Sequence, residues 1–548
     1  MSAHTLALLA VTPGWTDLAA RRGIDGDTVG AVIDEAQRFA DAILTPLGRL
    51  GDAQGCRLEA GRVRTPEGYA QTYARMGADG WLAMDLPESL DGQGLPTTLH
   101  AAASPAFEGA AMAFMMANGS SRAAAHLLAG SVPELAAAWV PRLASGEWAA
   151  TICISEPDAG SDVGRIRTRA EPDGDGWRIS GSKCWISFGD HDMGTRIGHL
   201  LLARTGPAEA GTRGLSLFLV PDRLDDSTPN GVSATRVEEK MGLHGSPTCV
   251  MAFDGARGTM IGEPGRGLVA LFPMIELMRL QTACQGLGVA QRACDIAEAY
   301  AKERLQGGPP DAAPVAIDRH ADVRRQLTSM RARCEVLRSV ILDLALTLDQ
   351  AGEGDAKARI LAAFLLPLAK NFGGETGFSV ASDAIQVLGG AGYTREWPVE
   401  QLARDARVIA IYEGTTGMQA QDFLTRRLLR ERGEGLALFR ARAQATIADC
   451  PDGAAAERAR AVLDRFAALS AAMLEGGDGM AAPDLAADGY LRAGWAAVSA
   501  AACCRMIAAS AELARLGRFR LRYLDAEMAL AEASCRLDAA LVSPTSEN

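Results

Sequence analysis

The chain has 548 residues, of which 48% are hydrophobic and 22% charged, and a formal net charge of −12. That length exceeds one hydrophobic core, so about two to four domains are expected. The acidic balance argues against bulk attraction to nucleic acid or to an anionic membrane. Eleven cysteines stand singly apart from Cys503-Cys504, without a CxxC pair, and the seven histidines have no metal-like spacing. A reduced, intracellular protein without a metal site is expected. The first fifteen residues lack a basic stretch, and no apolar run approaches a membrane span. A cytoplasmic protein with no membrane partner is the expectation.

Residues 1–147 read as helical. Val32, Ala36, Phe39, Ile43 and Leu47 fall at helix spacing, and Pro46 and Gly51 are read as breaking that pattern before an extended stretch at Arg64-Thr65-Pro66. A helix is predicted over residues 68–76 and a loop at 92–96. The small-residue stretch 105–128 predicts a buried helix, with Met112, Met115 and Met116 as core packing. From 148 to 260, β-rich runs at 151–155, 177–186, 199–205, 215–221, 232–237 and 249–253 alternate with Gly, Pro and Asp turns. That spacing predicts a small antiparallel barrel or sandwich. Residues 261–430 return to long helices, at about 268–305, from 322 onward, 356–387, 399–406 and 416–430. Val323, Leu327, Met330, Cys334, Leu337, Ile341 and Leu344 make one apolar stripe on the second of these. Short loops between antiparallel helices make a bundle. Residues 431–548 read as a further helical domain whose polar end, 543–548, frays.

The chemistry concentrates in a few segments. Ala410-Ile-Tyr-Glu-Gly-Thr-Thr-Gly417 carries a lone carboxylate, Glu413, in an apolar run. Scarce water beside Ile409, Ile411 and Tyr412 predicts a raised pKa, useful to a base; a carboxylate capping a helix start is the alternative. In Gly181-Ser-Lys-Cys-Trp-Ile-Ser-Phe-Gly189, Trp185 and Ser187 share a strand face. An indole beside a hydroxyl suits a flat heterocycle, or else is a buried Trp with a strand-end Ser. Leu388-Gly-Gly-Ala-Gly392 is either a phosphate approach or a helix C-cap. No GxGxxG follows a strand, so a Rossmann site has no support. His191 reads as a polar loop group, and His244 sits in a glycine-flanked loop that could close over a ligand.

Six blocks, in order, carry a resemblance: Ser155-Glu-Pro-Asp-Ala-Gly-Ser161, Gly181-Ser-Lys-Cys-Trp-Ile-Ser187, Met241-Gly-Leu-His-Gly-Ser246, Tyr300-Ala-Lys-Glu-Arg304, Gln386-Val-Leu-Gly-Gly-Ala-Gly-Tyr393 and Ile411-Tyr-Glu-Gly-Thr415. Together they resemble the acyl-CoA dehydrogenases. The extra C-terminal domain, the long N-terminal lead, His244 and Glu303-Arg-Leu-Gln306 look most like the 3-(methylthio)propanoyl-CoA dehydrogenase branch. The resemblance implies an α+β, mostly α fold: an N-terminal helical domain (1–147), a middle β domain (148–260), a four-helix bundle (261–430) and an additional helical domain (431–548). It implies FAD, held by Ser155 and the Cys153–Ile154 backbone, with Trp185 and Ser187 at the flavin ring. Ser161 would lie toward the flavin phosphates and the CoA arm. Arg304, Gln386, Gly389 and Gly390 would reach a neighbouring subunit's cofactor, and Thr415 the FAD beside Glu413.

Glu413 would be the base that removes the α-proton while the β-hydrogen leaves as hydride to flavin N5, giving a trans-2-enoyl-CoA. A ribityl hydroxyl and the Glu413 backbone N–H would hold the thioester oxygen. Glu276, Arg279, Tyr412 and Gly414 would contact substrate; Arg279 one turn from Glu276 is also an ordinary intrahelical pair. An electron-transfer flavoprotein and a homodimer or homotetramer are the implied partners. Gly307-Gly308 stands where the family often has an aromatic and Gly, which puts cross-subunit cofactor contacts in doubt. Ser187 replaces the commoner Thr.

A medium or long fatty acyl chain is the alternative substrate. A DNA-binding flavoprotein of the alkylation-response type is the alternative of another class. Residues 431–548 hold 13 arginines against 16 acidic residues, and Arg515, Arg518, Arg520 and Arg522 form the basic cluster there. That cluster reads as a solvated face or a salt-bridge patch. A flavin-dependent oxygenase or oxidase is a third reading.

Overall fold

A computed structural model describes residues 2–477 and 479–542; the polar end expected to fray lies outside them. The chain begins with α1 (Ser2–Ala10), α2 (Trp15–Arg22), α3 (Gly26–Phe39) and α4 (Thr45–Gln54), the last two joined by a π turn at Ala40–Leu44. Pro46 and Gly51 therefore do not break the helix. The wide turn loosens the backbone ladder just where Pro46 lacks a donor. Gly51 serves packing, since a Cβ there would meet the Tyr69 hydroxyl at 2.2 Å.

The hairpin β1 (Arg57–Glu59) and β2 (Arg62–Arg64) leads to α5 (Tyr69–Ala78), α6 (Thr97–Ala129) and α7 (Pro133–Ala144). Seven strands follow: β3 (Trp148–Cys153), β4 (Arg169–Asp173), β5 (Gly176–Ser187), β6 (Arg196–Arg204), β7 (Leu215–Pro221), β8 (Val232–Val237) and β9 (Thr248–Ile261). The long helices are α8 (Gly267–Glu303), α9 (Ala321–Gly352) and α10 (Ala356–Leu388), followed by α11 (Val399–Ala406) and α12 (Thr416–Gln421). The end of the chain adds α13 (Glu434–Ala448), α14 (Gly453–Glu475), α15 (Pro483–Ala509) and α16 (Ala511–Ser534). By length and composition α8 could cross a membrane; half of its most apolar window is buried in the fold, as in a core helix.

Two compact units make up the chain. One comprises Arg38–Pro96 and Ala110–Gln281; the other comprises the residues before Arg38, Thr97–Gly109, and the chain from Thr282 onward. The first holds the barrel. Its strand order is β3-β6-β4-β5-β9-β7, β7 returns to pair with β6, and β8 adds to β9. The barrel is mixed rather than antiparallel, because β3 and β4 both run parallel to β6. β4 escapes sequence reading because its pattern is mostly polar and only Ala170 enters the core. Cys153, Ile179, Ile186, Leu201, Phe218 and Met251 fill the interior. Trp139, Leu143, Leu200, Leu202 and Leu217 form a second core. β6 and β7 are thus buried on both faces, which explains why their apolar residues follow one another instead of alternating with exposed polar ones.

Two imidazoles in this unit are fully buried. His199 on β6 shares its Nδ1 with the Thr151 hydroxyl at 2.8 Å, and His191 Nδ1 accepts from the Met193 N–H at 3.2 Å. His191 is the polar loop group expected from sequence, but the loop holds it in the interior. Burial pushes both down to about 4, and for His191 the nearby Arg62 charge adds to that. The unfolded chain takes up these protons below about pH 6.5 and the folded chain does not until about pH 4. Their contribution is complete above pH 6.5 and is lost as pH falls toward 4, up to about 3 kcal/mol per imidazole. The apparent melting temperature is expected to drop between pH 6.5 and 4.5. His199→Gln should flatten that slope, and an unchanged slope in this variant contradicts the assignment.

In the second unit, every residue of α9 from Cys334 to Thr347 is buried. The single stripe read from sequence is too narrow, because α15 and α16 cover the face it leaves to solvent. The enclosed charges are paired: Arg338 with Glu335 at 2.9 Å, and Asp343 with both Arg505 and Arg442. Burial would raise the Glu335 carboxyl, but Arg338 and His4 bring it down to about 2. Glycine lets α8 and α10 close, since a Cβ on Gly286 would lie 2.0 Å from the Gly373 carbonyl. Phe364, Phe423, Phe439, Phe466 and Tyr490 form the aromatic contact between α10, the chain after α12, and the last helices.

Candidate active site

On the barrel unit, β3 leads into the turn bearing Ser155, and β5 runs beside it. The Cys184 N–H donates to the Ser155 carbonyl at 2.9 Å, which brings 153–155 and 184–187 together. The turn is held from inside by an ion pair. Lys183 Nζ, fully buried, lies 2.8 Å from a Glu156 carboxylate oxygen and 2.9 Å from the Ile154 carbonyl. Glu156 also accepts the Arg167 and Thr168 N–H groups. Burial opposes the Glu156 charge, yet Lys183 and those donors keep its carboxyl below the usual range.

The β5–β9 register slips between Lys183 and Ile186, and Trp185 sits in the bulge with φ +63°. The bulge turns the indole outward, to 62% exposure. The buried-tryptophan alternative is thereby excluded. Ser187 is half-buried, Cys153 buried, Ser161 exposed, and Glu276 and Arg279 half-buried on α8. His244 is engaged within this unit: its Nδ1 lies 2.9 Å from the Asp52 carboxylate, and its Nε2 3.1 Å from the Lys240 carbonyl.

On the helical unit, a 3₁₀ turn at Arg407–Ala410 delivers the chain to Glu413, which has φ +54°, followed by Gly414 at φ +92°. A glutamate in the left-handed region costs of order 1 kcal/mol or more and persists only where its surroundings fix it. Three side chains do so. The Tyr412 hydroxyl donates to Gln285 Oε1 on α8. Lys370 Nζ on α10 donates to the Gly414 carbonyl at 2.6 Å. Gln419 Nε2 donates to the Glu413 carbonyl at 2.9 Å and to that of Gly414 at 3.3 Å. Burial, and then the Glu108 and Glu413 carboxylates, push the Tyr412 hydroxyl well above its ordinary range, so it stays a donor.

Thr415, not Glu413, caps α12, its hydroxyl accepting the Met418 N–H at 3.4 Å. The expected dry wall around Glu413 is only half present: Ile409 is fully buried, but Ile411 is 49% exposed and Glu413 half-buried. Thr415, Thr416 and Gly417 line a depression of about 450 Å³ with Glu375, Phe378 and Arg407. Arg304, Gln386, Gly389 and Gly390 are exposed on this unit.

Sequence reading missed Lys370, Gln419 and Gln285, and passed over Lys183 inside a quoted motif. The available signal was a lone lysine in the apolar run Leu365-Leu-Pro-Leu-Ala-Lys-Asn371. Among the described residues, no group of three or more His, Cys, Asp or Glu is arranged to hold a metal.

The acyl-CoA dehydrogenase N-terminal, middle and C-terminal domain models match residues 28–147, 151–256 and 265–429. The chain belongs to the acyl-CoA dehydrogenase family. As such it is an oxidoreductase of acyl-CoA thioesters. Among curated acyl-CoA dehydrogenases, the 3-methylmercaptopropionyl-CoA dehydrogenase of Ruegeria pomeroyi is 38% identical over 93% of this chain and 90% of its own. The broad-specificity linear acyl-CoA dehydrogenase FadE5 of Mycobacterium tuberculosis is 34% identical over 76% and 72%. Among solved structures, Caenorhabditis elegans ACDH-11 in complex with C11-CoA superposes with a TM-score of 0.77, at 22% identity over 93% of this chain and 87% of that one. Butyryl-CoA dehydrogenase from Megasphaera elsdenii, which this chain covers to 96%, matches only 72% of this acyl-CoA dehydrogenase, with a TM-score of 0.62 and 22% identity.

Proposed function

We propose that the protein oxidises 3-(methylthio)propanoyl-CoA or a similarly short acyl-CoA to its trans-2-enoyl thioester, with FAD as cofactor and Glu413 as base. The observation that carries this reading is the held left-handed conformation of Glu413 next to Gly414. Backbone held at such a cost clusters at functional sites, which favours a task for this carboxylate. The 38% identity to the Ruegeria pomeroyi enzyme over nearly the whole chain supports the substrate class.

The residues fit a flavin. On the barrel unit Trp185 offers an exposed indole for stacking, with the polar groups of Ser187 and Ser155 on the same two segments; on the helical unit Thr415 lines the depression with Thr416 and Arg407. The bound flavin accepts the β-hydrogen as hydride. The chain's own work is the other half. Glu413 takes the α-proton, which a thioester does not lose unaided. The Glu413 backbone N–H stabilises charge on the thioester oxygen. Glu276, Arg279, Tyr412, Gly414 and Ser161 face the acyl-CoA; Cys153 and Ile154 hold FAD by their backbone. Arg304, Gln386, Gly389 and Gly390 complete a neighbouring copy's cofactor site in a homo-oligomer. An electron-transfer flavoprotein takes up the electrons.

The basic cluster is weaker than its sequence suggests, although Arg515 and Arg522 are exposed. Arg520 of the basic cluster is buried against Glu527, and Arg518 is paired with Asp452. Anaerobic titration of the yellow protein with a panel of acyl-CoAs tests the proposal. Bleaching is expected at the lowest concentration with 3-(methylthio)propanoyl-CoA. Preference for a medium or long chain removes the substrate assignment, and no bleaching with any thioester removes the function.

A further inference from the structure

We infer that Lys370 and Gln419 are positioning residues for the general base, a reading that rests on Glu413 holding that role. They act on backbone. Glu413 and Gly414 are consecutive left-handed residues, with φ +54° and +92°. Two helices meet the carbonyls of that turn: Lys370 from α10 takes Gly414, and Gln419 from α12 takes both Glu413 and Gly414. Both side chains are fully buried. Gly414 is small for the same reason, since a Cβ there would stand 2.6 Å from Gln419 Nε2.

The choice of residue points to more than packing. An ammonium loses several kcal/mol of hydration when buried, whereas a methionine of similar length fills the same space without that loss. What lysine adds is a short, charge-assisted hydrogen bond of 2.6 Å to one defined carbonyl. The target is the residue directly after the base. The Glu413 peptide is therefore set from both sides: Tyr412 is tied to Gln285 on α8 and Gly414 to Lys370 on α10. Released, the turn would relax toward a common backbone conformation and carry the carboxylate with it. A shift of about 1 Å in a reacting group costs on the order of 10²-fold in rate.

The test compares Lys370→Met, Lys370→Arg, Gln419→Met and Glu413→Gln as holoenzymes. Two readouts are used: steady-state turnover of a short acyl-CoA, and hydrogen–deuterium exchange of the peptide covering residues 408–418 without substrate. Lys370→Met and Gln419→Met should lower kcat by roughly 10–10²-fold with KM little changed. Exchange should accelerate in that peptide and nowhere else, and Lys370→Arg should restore part of both. Glu413→Gln should lose turnover yet keep normal exchange. Should Glu413→Gln keep its turnover, the base assignment fails by itself, while the exchange result still reports on the clamp. Wild-type kcat and wild-type exchange in Lys370→Met overturn the inference. Should that variant unfold, Gln419→Met decides on the same criteria.

Discussion

Glu413→Gln is expected to lower turnover by roughly 10²–10⁴-fold while FAD stays bound, as general-base losses do. The amide is close in shape and keeps the backbone N–H, so neither the turn nor the contacts to the thioester oxygen should change. On the proposed assignment, what disappears is the proton acceptor. The measurement is the rate of flavin bleaching after rapid anaerobic mixing with acyl-CoA. A variant that bleaches at the wild-type rate removes Glu413 from the chemistry. The Glu413 and Gly414 carbonyls that Lys370 and Gln419 grip are untouched by the substitution, so the variant should melt close to the parent.

Lys183→Met is expected to cost about 3–5 kcal/mol, because it strands the Glu156 carboxylate in the barrel. The loss should appear as a fall in the melting temperature of the flavin-loaded protein and as weaker retention of the flavin. The Ile154 carbonyl loses its donor in the same step. The double variant Lys183→Met, Glu156→Gln should recover part of the stability, since no unpaired charge remains, though Gln still has to serve the Arg167 and Thr168 N–H groups. A single variant as stable as the parent would mean that the pair contributes nothing.

The sequence made some features plain and concealed others, for reasons particular to each. β7 and β8 are read to the residue, since turn residues bracket short apolar or alternating runs. The Trp185–Ser187 face was read from simple alternation, whereas the chain reaches Trp185 through a bulge, and bulges carry no spacing signal. Glu413 was legible as an odd carboxylate. Its left-handed backbone was not, because nothing but the following Gly414 hints at it. Lys370 is hinted at only by its apolar neighbours, and Gln419 by nothing, since a glutamine on a helix reads as surface until the covering elements are placed. The same holds for α9: Glu335, Arg338 and Asp343 look like a solvated side, and only α1, α8 and the helices after residue 431, distant in sequence, make them interior.

That last arrangement bears on any attempt at a minimal enzyme. The match to the C-terminal domain model stops at residue 429, just before α13, which invites a truncation. Here Asp343 draws both of its guanidinium partners, Arg442 and Arg505, from beyond that cut, and Ser339 bonds Arg505 as well. Trimming would lay a middle helix bare with an orphaned carboxylate on it. A cut-down version needs α9 rewritten with a hydrophilic outer side before the tail can go.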